Sequence, residues 1–486
     1  MTAPRPTTAS IRLSDLAALV GATTDAGAVT VTGITLDSHD VHPGDLFCAL
    51  PGRHHHGAEF IEQARAAGAV AVLIDPEAVD RVGDLPALVV ERPRAHVGEL
   101  AAAVYGRPAN RLQVLAITGT NGKTTTSWMV QAGLVAAGRR TGMIGTLGAW
   151  IDGEHIPLAR TTPEATDLHA LLGVMVERGV EAVVMEASSV ALVEGRMDGL
   201  VVDVAAFTHL TQDHLDYHGT MEAYFDAKAM LFDRARRAVI GVDDEWGRRL
   251  CDLVAIPVTT WSRRDPTADW SATESGHEVR QRDGQAWQLT VPIPGDFNIA
   301  NAVCAIAMLD SAGVDASAAV TGIAHVQVPG RMQRVGSGVV VGLVDYAHTP
   351  DAVIRALTAS RQAAPGRVIA VLGAGGDRDR AKRPLMGQAA GRLADVVVVT
   401  DDNPRSEEPA SIRREVAAGI PAGVEVHEVG DRAEAINRAV RLAEPGDVVV
   451  VLGKGHEQGQ EVAGTVHPFD DAAVLTSALQ RRSGHA

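Results

Sequence analysis

Residues 114–130, VLAITGTNGKTTTSWMV, hold the densest run of potential chemistry in the chain. An apolar run predicts a strand, Gly119 and Gly122 a tight turn, and the residues from Lys123 the start of a helix. Free N–H groups at such a helix start can hold phosphate oxygens, Lys123 can reach terminal phosphates, and Thr124 can ligate Mg²⁺. The stretch predicts a nucleoside triphosphate site built from Gly119, Thr120, Asn121, Gly122, Lys123, Thr124 and Thr125. It departs from the full Walker pattern, because Ile117 stands where the first glycine belongs.

Two later stretches extend that site. VVMEASS ends a predicted strand at Glu186, and THLTQDHLDYHGTMEAYFDAKAMLF (208–232) carries Asp213, His214, Asp216, His218 and Lys228. Carboxylates with histidine suit a hard cation that bridges phosphates, so these residues are expected as a packed cluster beside the phosphate loop. Lys228, taken by itself, reads as a surface lysine.

A third stretch poses a different problem. DDNPRSEEP (401–409) follows Val397, Val398, Val399 and Thr400, so a strand that reads as buried ends in two carboxylates, an amide, a proline and an arginine. A solvated turn is the plain explanation, since Asp, Asn and Pro are common turn formers. A ligand-binding turn is the alternative.

The elements that must position these residues are legible as alternation. From Val114 onward, VLAITG, VEAVVMEAS, DVAAFTHL and RAVIGVDDE alternate with helical patterns. Such alternation predicts an α/β fold with a mostly parallel sheet covered on both faces. Four more apolar runs follow a break at 327–338: VVVGLVDYAH, RVIAVLGAGGD, ADVVVVTDDN and GDVVVVLGKGHE. Each ends in a polar cluster, and ligands of open parallel sheets gather at the carboxyl ends of strands, which points to one shared crevice. Before Val114, AEFIEQARAA and GAVAVLID predict a small α/β domain, joined through a linker at YGRPANRL (105–112). Three domains are expected: 1–108, 109–333 and 334–486. The final residues, RRSGHA, are expected to fray.

With 486 residues, 46% of them hydrophobic and 21% charged, the chain reads as globular. A net charge of -16 gives no electrostatic reason to expect nucleic acid or an anionic membrane. Cys48, Cys251 and Cys304 are far apart and match no metal spacing, which suits idle thiols in a reducing compartment. MTAPRPTTAS lacks the apolar core of a signal peptide, and no uninterrupted apolar stretch would span a bilayer. A cytoplasmic enzyme working as a monomer is the expectation.

GTNGKTT, TTPEA, DHLDYHGTMEAY, FNIANA, PGRMQRV, DYAHTPDA, GGDRDRAKRPLMG, DDNPR and GKGHE occur in that order between Asp37 and Asp470. Together they resemble the Mur ligase family, and within it the branch that adds diaminopimelate. The resemblance implies a central domain like that of phosphate-loop NTPases and a Rossmann-like C-terminal domain. It also implies an ATP-dependent amide ligase of peptidoglycan precursor synthesis. In that reaction ATP phosphorylates the carboxylate of a UDP-N-acetylmuramoyl-dipeptide, and the amine of diaminopimelate, expected as the meso isomer, attacks the acyl phosphate.

Residue by residue, the resemblance makes Lys123, Glu186, His214 and Lys228 catalytic. Thr124, Glu186, His214 and a carbamylated Lys228 would hold Mg²⁺. Asn298, Asn301, Arg331 and Asp345 would join the phosphate loop around ATP. Ser38, Thr161, Thr162, Ser188 and Arg196 would hold the UDP-sugar substrate. Arg378, Asp402, Asn403, Arg405, Gly453 and Glu457 would hold the amino acid. Arg405 answers the DDNPR problem: diaminopimelate carries a second carboxylate that lysine lacks, and a guanidinium can pair with it through two parallel hydrogen bonds.

Three positions depart from the family pattern: Val190 replaces a histidine after the paired serines, His209 an asparagine, and His39 an arginine. They leave open a paralogue with the same chemistry and another amino acid or acceptor. A non-catalytic binder of nucleotide or precursor is the remaining alternative, and the presence of Lys123, Glu186, His214 and Lys228 together argues against it.

Overall fold

The computed structural model describes the chain except residues 1–3, 8, 9, 23, 25, 27, 53, 337, 364 and 484–486. Of the tail expected to fray, Arg481 and Arg482 instead belong to the helix Asp471–Ser483 and donate to Asn437 and the Val440 carbonyl, while 484–486 lie outside the described residues. The described chain divides into two compact units, one of 1–289 with 301–323 and one of 290–300 with 324–486.

The first unit contains two sheets. Gly33–Thr35, Asp45–Cys48, Ala71–Ile74 and Ala87–Val89 form a four-stranded sheet that is parallel throughout. An eleven-stranded sheet follows. At its centre Gln113–Thr118 lies between Ala182–Glu186 and Val204–Phe207, parallel to both. These strands are apolar along their length because both faces are covered, and Val114, Ala116, Val183, Met185, Ala205 and Phe207 share one core. The pairing places Glu186 opposite Ile117 and Phe207 opposite Thr118, so the carboxyl ends of three strands meet at the glycine turn.

Antiparallel arms extend the large sheet at both ends, over Gly148–Ile151 with Glu154–Ile156 and over Trp270–Ala272, Glu278–Gln281 and Ala286–Gln288. The stretch 105–112 is packed and not loose: Tyr105 joins the core of the small sheet and Ala109 and Leu112 that of the large one. Apolar side chains there outweigh the turn-forming glycine and proline.

The second unit is built on a six-stranded sheet in the order Gln333–Val335, Val341–Asp345, Val448–Leu452, Val368–Leu372, Val396–Val399, Glu425–Glu428. Only the first of these runs antiparallel to its neighbour. The four expected apolar strands are its interior, and their polar ends lie at one edge of the sheet. No helix among the described residues is long and apolar enough to cross a membrane.

Candidate functional site

The glycine turn joins the strand Gln113–Thr118 to the helix Lys123–Ala136, as its sequence predicts. Gly119 sits at φ +139°, and a Cβ there would collide with the Thr208 hydroxyl, so only glycine fits. The segment after the strand Val204–Phe207 holds the turn in shape. Thr120 donates its backbone N–H to the His209 carbonyl at 2.9 Å, and Thr208 donates its hydroxyl to the Asn121 carbonyl at 2.7 Å. His209, one of the departures from the family pattern, thus supports the loop through its backbone, which any side chain could supply.

Lys123 is half-buried and not the exposed lysine that a glycine-rich turn suggests. Its amine donates to the Gly119 and Thr120 carbonyls, both at 2.9 Å, so it is folded back over the loop that it would leave to reach a phosphate.

Glu186 ends its strand 1% exposed. It accepts from the Thr124 hydroxyl at 3.1 Å, the Thr146 N–H at 2.9 Å and the Thr146 hydroxyl at 3.0 Å. These hard oxygen donors beside a phosphate loop suit Mg²⁺. Thr162 and Ser188 adjoin the same strand end: the Thr162 hydroxyl donates to the Glu186 carbonyl at 2.8 Å and accepts from the Ser188 N–H at 3.1 Å. Ser188 also caps the helix Ser189–Val193. Thr161 shares a 3.2 Å contact with the Thr146 hydroxyl, and Arg196 donates to the Thr162 carbonyl at 3.4 Å.

Lys228 is no surface lysine. Thr220 caps the helix Met221–Ala229, and Tyr224, Phe225, Ala227 and Lys228 form its buried face. The Lys228 amine lies 4.4 Å over the Tyr224 ring, one helical turn earlier, and donates to the Gly119 carbonyl at 2.8 Å. Burial, and next the neighbouring Lys123 charge, push its pKa well below the ordinary lysine range. A neutral amine is the form that can add to CO₂.

The cluster expected with Lys228 is loosely gathered around Tyr224, with the His214 and His218 rings 6.2 and 5.0 Å from the tyrosine ring that the Lys228 amine overlies. His214 adopts a left-handed backbone at φ +51° and is exposed together with Asp213 and Asp216. His218 meets the Ser189 hydroxyl at 2.9 Å while its ring stays beside that of Tyr224. The helix Leu215–His218 has no buried residue, so nothing draws its charges inward. Among the described residues no three His, Cys, Asp or Glu side chains gather in metal-holding geometry.

Ser38 lines a cavity of about 640 Å³ in the same unit, with Cys48, Phe60, Arg94, Arg160 and Asp167 among its walls. His39 lines it also, with its side chain exposed. Glu164 pairs with Arg94 at 2.8 Å, Arg160 at 3.0 Å and Arg196 at 3.1 Å, which links the cavity wall to the Thr161–Thr162 turn. Burial, then the Asp40 and Glu164 charges, raise Asp167 to about 6.

In the second unit, Asn298 is buried and donates to the Pro294 carbonyl at 2.7 Å. Asn301 falls in the first unit, against Gly122. Arg331 lies 4.8 Å over the Tyr346 ring. Asp345 accepts from the Met332 and Ala347 N–H groups at 2.7 and 2.9 Å, and burial raises its pKa.

The DDNPR turn is held from several sides. Asn403 donates to Glu457 at 2.9 Å, joining DDNPR to GKGHE. Gly453, at φ +117°, lies so close to the Asp402 carboxylate that a Cβ would clash. Arg405 has φ +52°, a conformation that costs energy outside glycine. Two backbone bonds hold it there, from Arg405 N–H to the Glu461 carbonyl at 3.1 Å and from Ala463 N–H to the Arg405 carbonyl at 2.7 Å. Its guanidinium donates to the Gly376 carbonyl at 2.8 Å and lies 3.3 Å from Glu461. Arg378 is exposed on the adjoining loop.

Several supports escaped the sequence. Arg383 is fully buried and pairs with Glu407 at 2.7 Å and Glu415 at 2.9 Å, and its hydrogen bond lowers Glu407 to about 2. Arg432 and Asp471 form a fully buried pair, and Lys454 is buried between the two loops. Arg383 and Lys454 stood inside quoted motifs, while neither Arg432 nor Asp471 had any local signal.

What this fold and this loop define is a phosphate-loop α/β enzyme. The chain matches the Mur ligase family, catalytic domain, over residues 30–105, the Mur ligase middle domain over 117–309, and the Mur ligase, glutamate ligase domain over 330–455. It belongs to the Mur ligase family. It is 49% identical to a Streptomyces coelicolor protein named UDP-N-acetylmuramoyl-L-alanyl-D-glutamate--2,6-diaminopimelate ligase, with 99% of each chain covered. A Corynebacterium glutamicum protein of the same name is 46% identical, covering 94% of this chain and 93% of its own. A solved structure of a ligase of that name matches with a TM-score of 0.72 at 33% identity, covering 98% of this chain and 99% of the other.

Proposed function

We propose that this chain is an ATP-dependent ligase that joins diaminopimelate to UDP-N-acetylmuramoyl-L-alanyl-D-glutamate in peptidoglycan precursor synthesis, the meso isomer being the expected donor. The observation that carries the choice of amino acid is Arg405, set two residues after the Asn403–Glu457 contact. A guanidinium and a carboxylate so placed suit the distal carboxylate and ammonium of diaminopimelate. Near-full-length identity to proteins named for that reaction supports it.

In this reading the cavity around Ser38 takes the nucleotide, and Thr161, Thr162, Ser188 and Arg196 take the sugar and peptide. The acceptor carboxylate attacks the γ-phosphorus of ATP and ADP leaves. The amine of diaminopimelate then attacks the acyl carbon, phosphate leaves, and the amide forms with loss of a proton. Lys123 and the N–H groups of the glycine turn offset the charge of the transferring phosphoryl group. Asn298, Asn301, Arg331 and Asp345 bind the rest of ATP. Thr124, Glu186, His214 and a carbamate on Lys228 would hold Mg²⁺, which neutralises phosphate charge when bound. Arg378, Asp402, Asn403, Arg405, Gly453 and Glu457 bind the amino acid.

The proposal includes domains at 1–108, 109–333 and 334–486, a cytoplasmic location and a monomeric working form. Its test is phosphate release from ATP with the muramoyl-dipeptide nucleotide and a panel of amino acids. Diaminopimelate is expected to give the highest kcat/KM. A higher value with another amino acid would favour the paralogue.

A further inference from the structure

Lys454 is a fully buried ammonium, and its partners all belong to the two loops expected to hold the amino acid. It donates to Asn403 Oδ1 at 2.8 Å and to Glu457 Oε2 at 3.0 Å, and lies 3.9 Å from Asp402. Asn403 donates to the same Glu457 oxygen at 2.9 Å. Two donors on Oε2 fix the rotation of that carboxylate and leave Oε1 as the acceptor for an incoming ammonium. Asn403 is held in turn, because its Oδ1 also accepts from the Glu461 N–H at 3.0 Å, on the strand Gly459–Val462 that pins Arg405.

Burying a cation is costly unless charge and hydrogen bonds compensate it. A core that needed only volume here could use an apolar residue. The charge does something that volume cannot: it pairs with Glu457 Oε2 and sets the direction in which Glu457 presents its remaining oxygen.

We propose that Lys454 is a positioning residue that determines specificity, acting on the amino acid through Glu457 and Asn403 without touching it. The proposal rests on the reading of this chain as a diaminopimelate ligase. It predicts coupling: Lys454 matters to the amino acid only while Glu457 can bind an ammonium.

The test is a double-mutant cycle of K454M and E457Q, read as steady-state KM for diaminopimelate, ATP and the nucleotide-linked dipeptide. K454M should raise KM for diaminopimelate by about 10²-fold and leave the other two within about twofold. In the E457Q background the same change should raise it by less than about threefold. K454Q, which keeps a donor of similar length, should fall between wild type and K454M, and it replaces K454M in the cycle if that variant loses its cooperative thermal melt. An equal factor in both backgrounds, or a parallel rise in all three KM values, would overturn the proposal in favour of a general structural role. Absence of diaminopimelate-dependent phosphate release by wild type would overturn the ligase reading itself.

Discussion

Lys228 and Lys123 donate to the same acceptor, the Gly119 carbonyl, at 2.8 and 2.9 Å. Two ammonium groups that close repel, and the buried one yields: Lys228 is driven towards its neutral form first by burial and then by Lys123. The residue expected to carry CO₂ is therefore made nucleophilic partly by the residue expected to touch ATP.

Lys228→Ala should be nearly inactive and partly rescued by short-chain carboxylates, which can supply the missing anionic oxygen. Mass spectrometry of the active wild-type protein under bicarbonate should find the carbamate. A free amine on Lys228 in the active, Mg²⁺-loaded enzyme would count against this assignment.

Lys123→Ala should lower kcat by at least about 10²-fold, because charge stabilisation of the transferring phosphoryl group is lost. The variant should still melt cooperatively, with a loss of about 1–3 kcal/mol from the charged hydrogen bonds that the half-buried amine gives the Gly119 and Thr120 carbonyls. Phosphate release and thermal melting together check both halves, and activity above a few per cent of wild type would remove Lys123 from the site.

The strands around these residues were legible and their supports were not, for a physical reason. VVVV at 396–399 and VVVVL at 448–452 are apolar on both faces because parallel strands are covered on both, so composition alone reveals them. EVRQ at 278–281 and EVHE at 425–428 lie in half-exposed arms or edges, with too few apolar residues to stand out. Lys228 escaped because its burial depends on a carbonyl 109 residues away, and the pair of Arg432 and Asp471 spans 39 residues. The site motifs survived as local strings because loops bind ligands with consecutive residues. The histidines of DHLDYHG meet at the Tyr224 ring beside Lys228, but Asp213 and Asp216 stay exposed, because adjacency along a short helix does not turn every side chain to one point.

Arg432→Met should destabilise the protein by about 3–5 kcal/mol, since it leaves the Asp471 carboxylate buried without a cation. Arg432 also donates to the Asp401 carbonyl at 3.2 Å and the Leu452 carbonyl at 2.9 Å, so the DDNPR and GKGHE loops should loosen together. The double variant R432M/D471L should recover most of the loss in a denaturant melt. A single variant as stable as wild type would show that the pair does not hold the sheet edge.

Asp167→Asn gives a pH-dependent prediction. The folded carboxyl titrates near about 6, above its ordinary 3.8, mainly because it is buried and next because of Asp40 and Glu164. Between those values the native state holds the Asp167 proton more tightly than the unfolded one, so the contribution of this group to stability is lost as pH rises from about 4 to about 6, and no more above that. The melting temperature of D167N relative to wild type should climb across that window and then level. A flat difference from pH 4 to 7 would mean that Asp167 stays ordinary.

The last prediction concerns Arg405, whose side chain is 24% exposed and has partners within the fold, the Gly376 carbonyl and Glu461. A lysine substrate would not leave the guanidinium stranded, so discrimination comes mainly from what diaminopimelate gains by a two-pronged contact with its second carboxylate. A preference for diaminopimelate over lysine of roughly 10-fold to 10²-fold in kcat/KM is expected, smaller than a fully desolvated pair would give. Arg405→Ala should lose most of the activity with diaminopimelate and little with lysine, so the ratio narrows from one side. Arg405→Lys should not restore it, because a point charge cannot reproduce the fork. The left-handed backbone sharpens the comparison: neither replacement is glycine, so both variants carry the same strain at φ +52° and differ only in the side chain. Steady-state kinetics of both amino acids across wild type and the two variants decide it. An unchanged ratio in Arg405→Ala would return DDNPR to the status of a solvated turn.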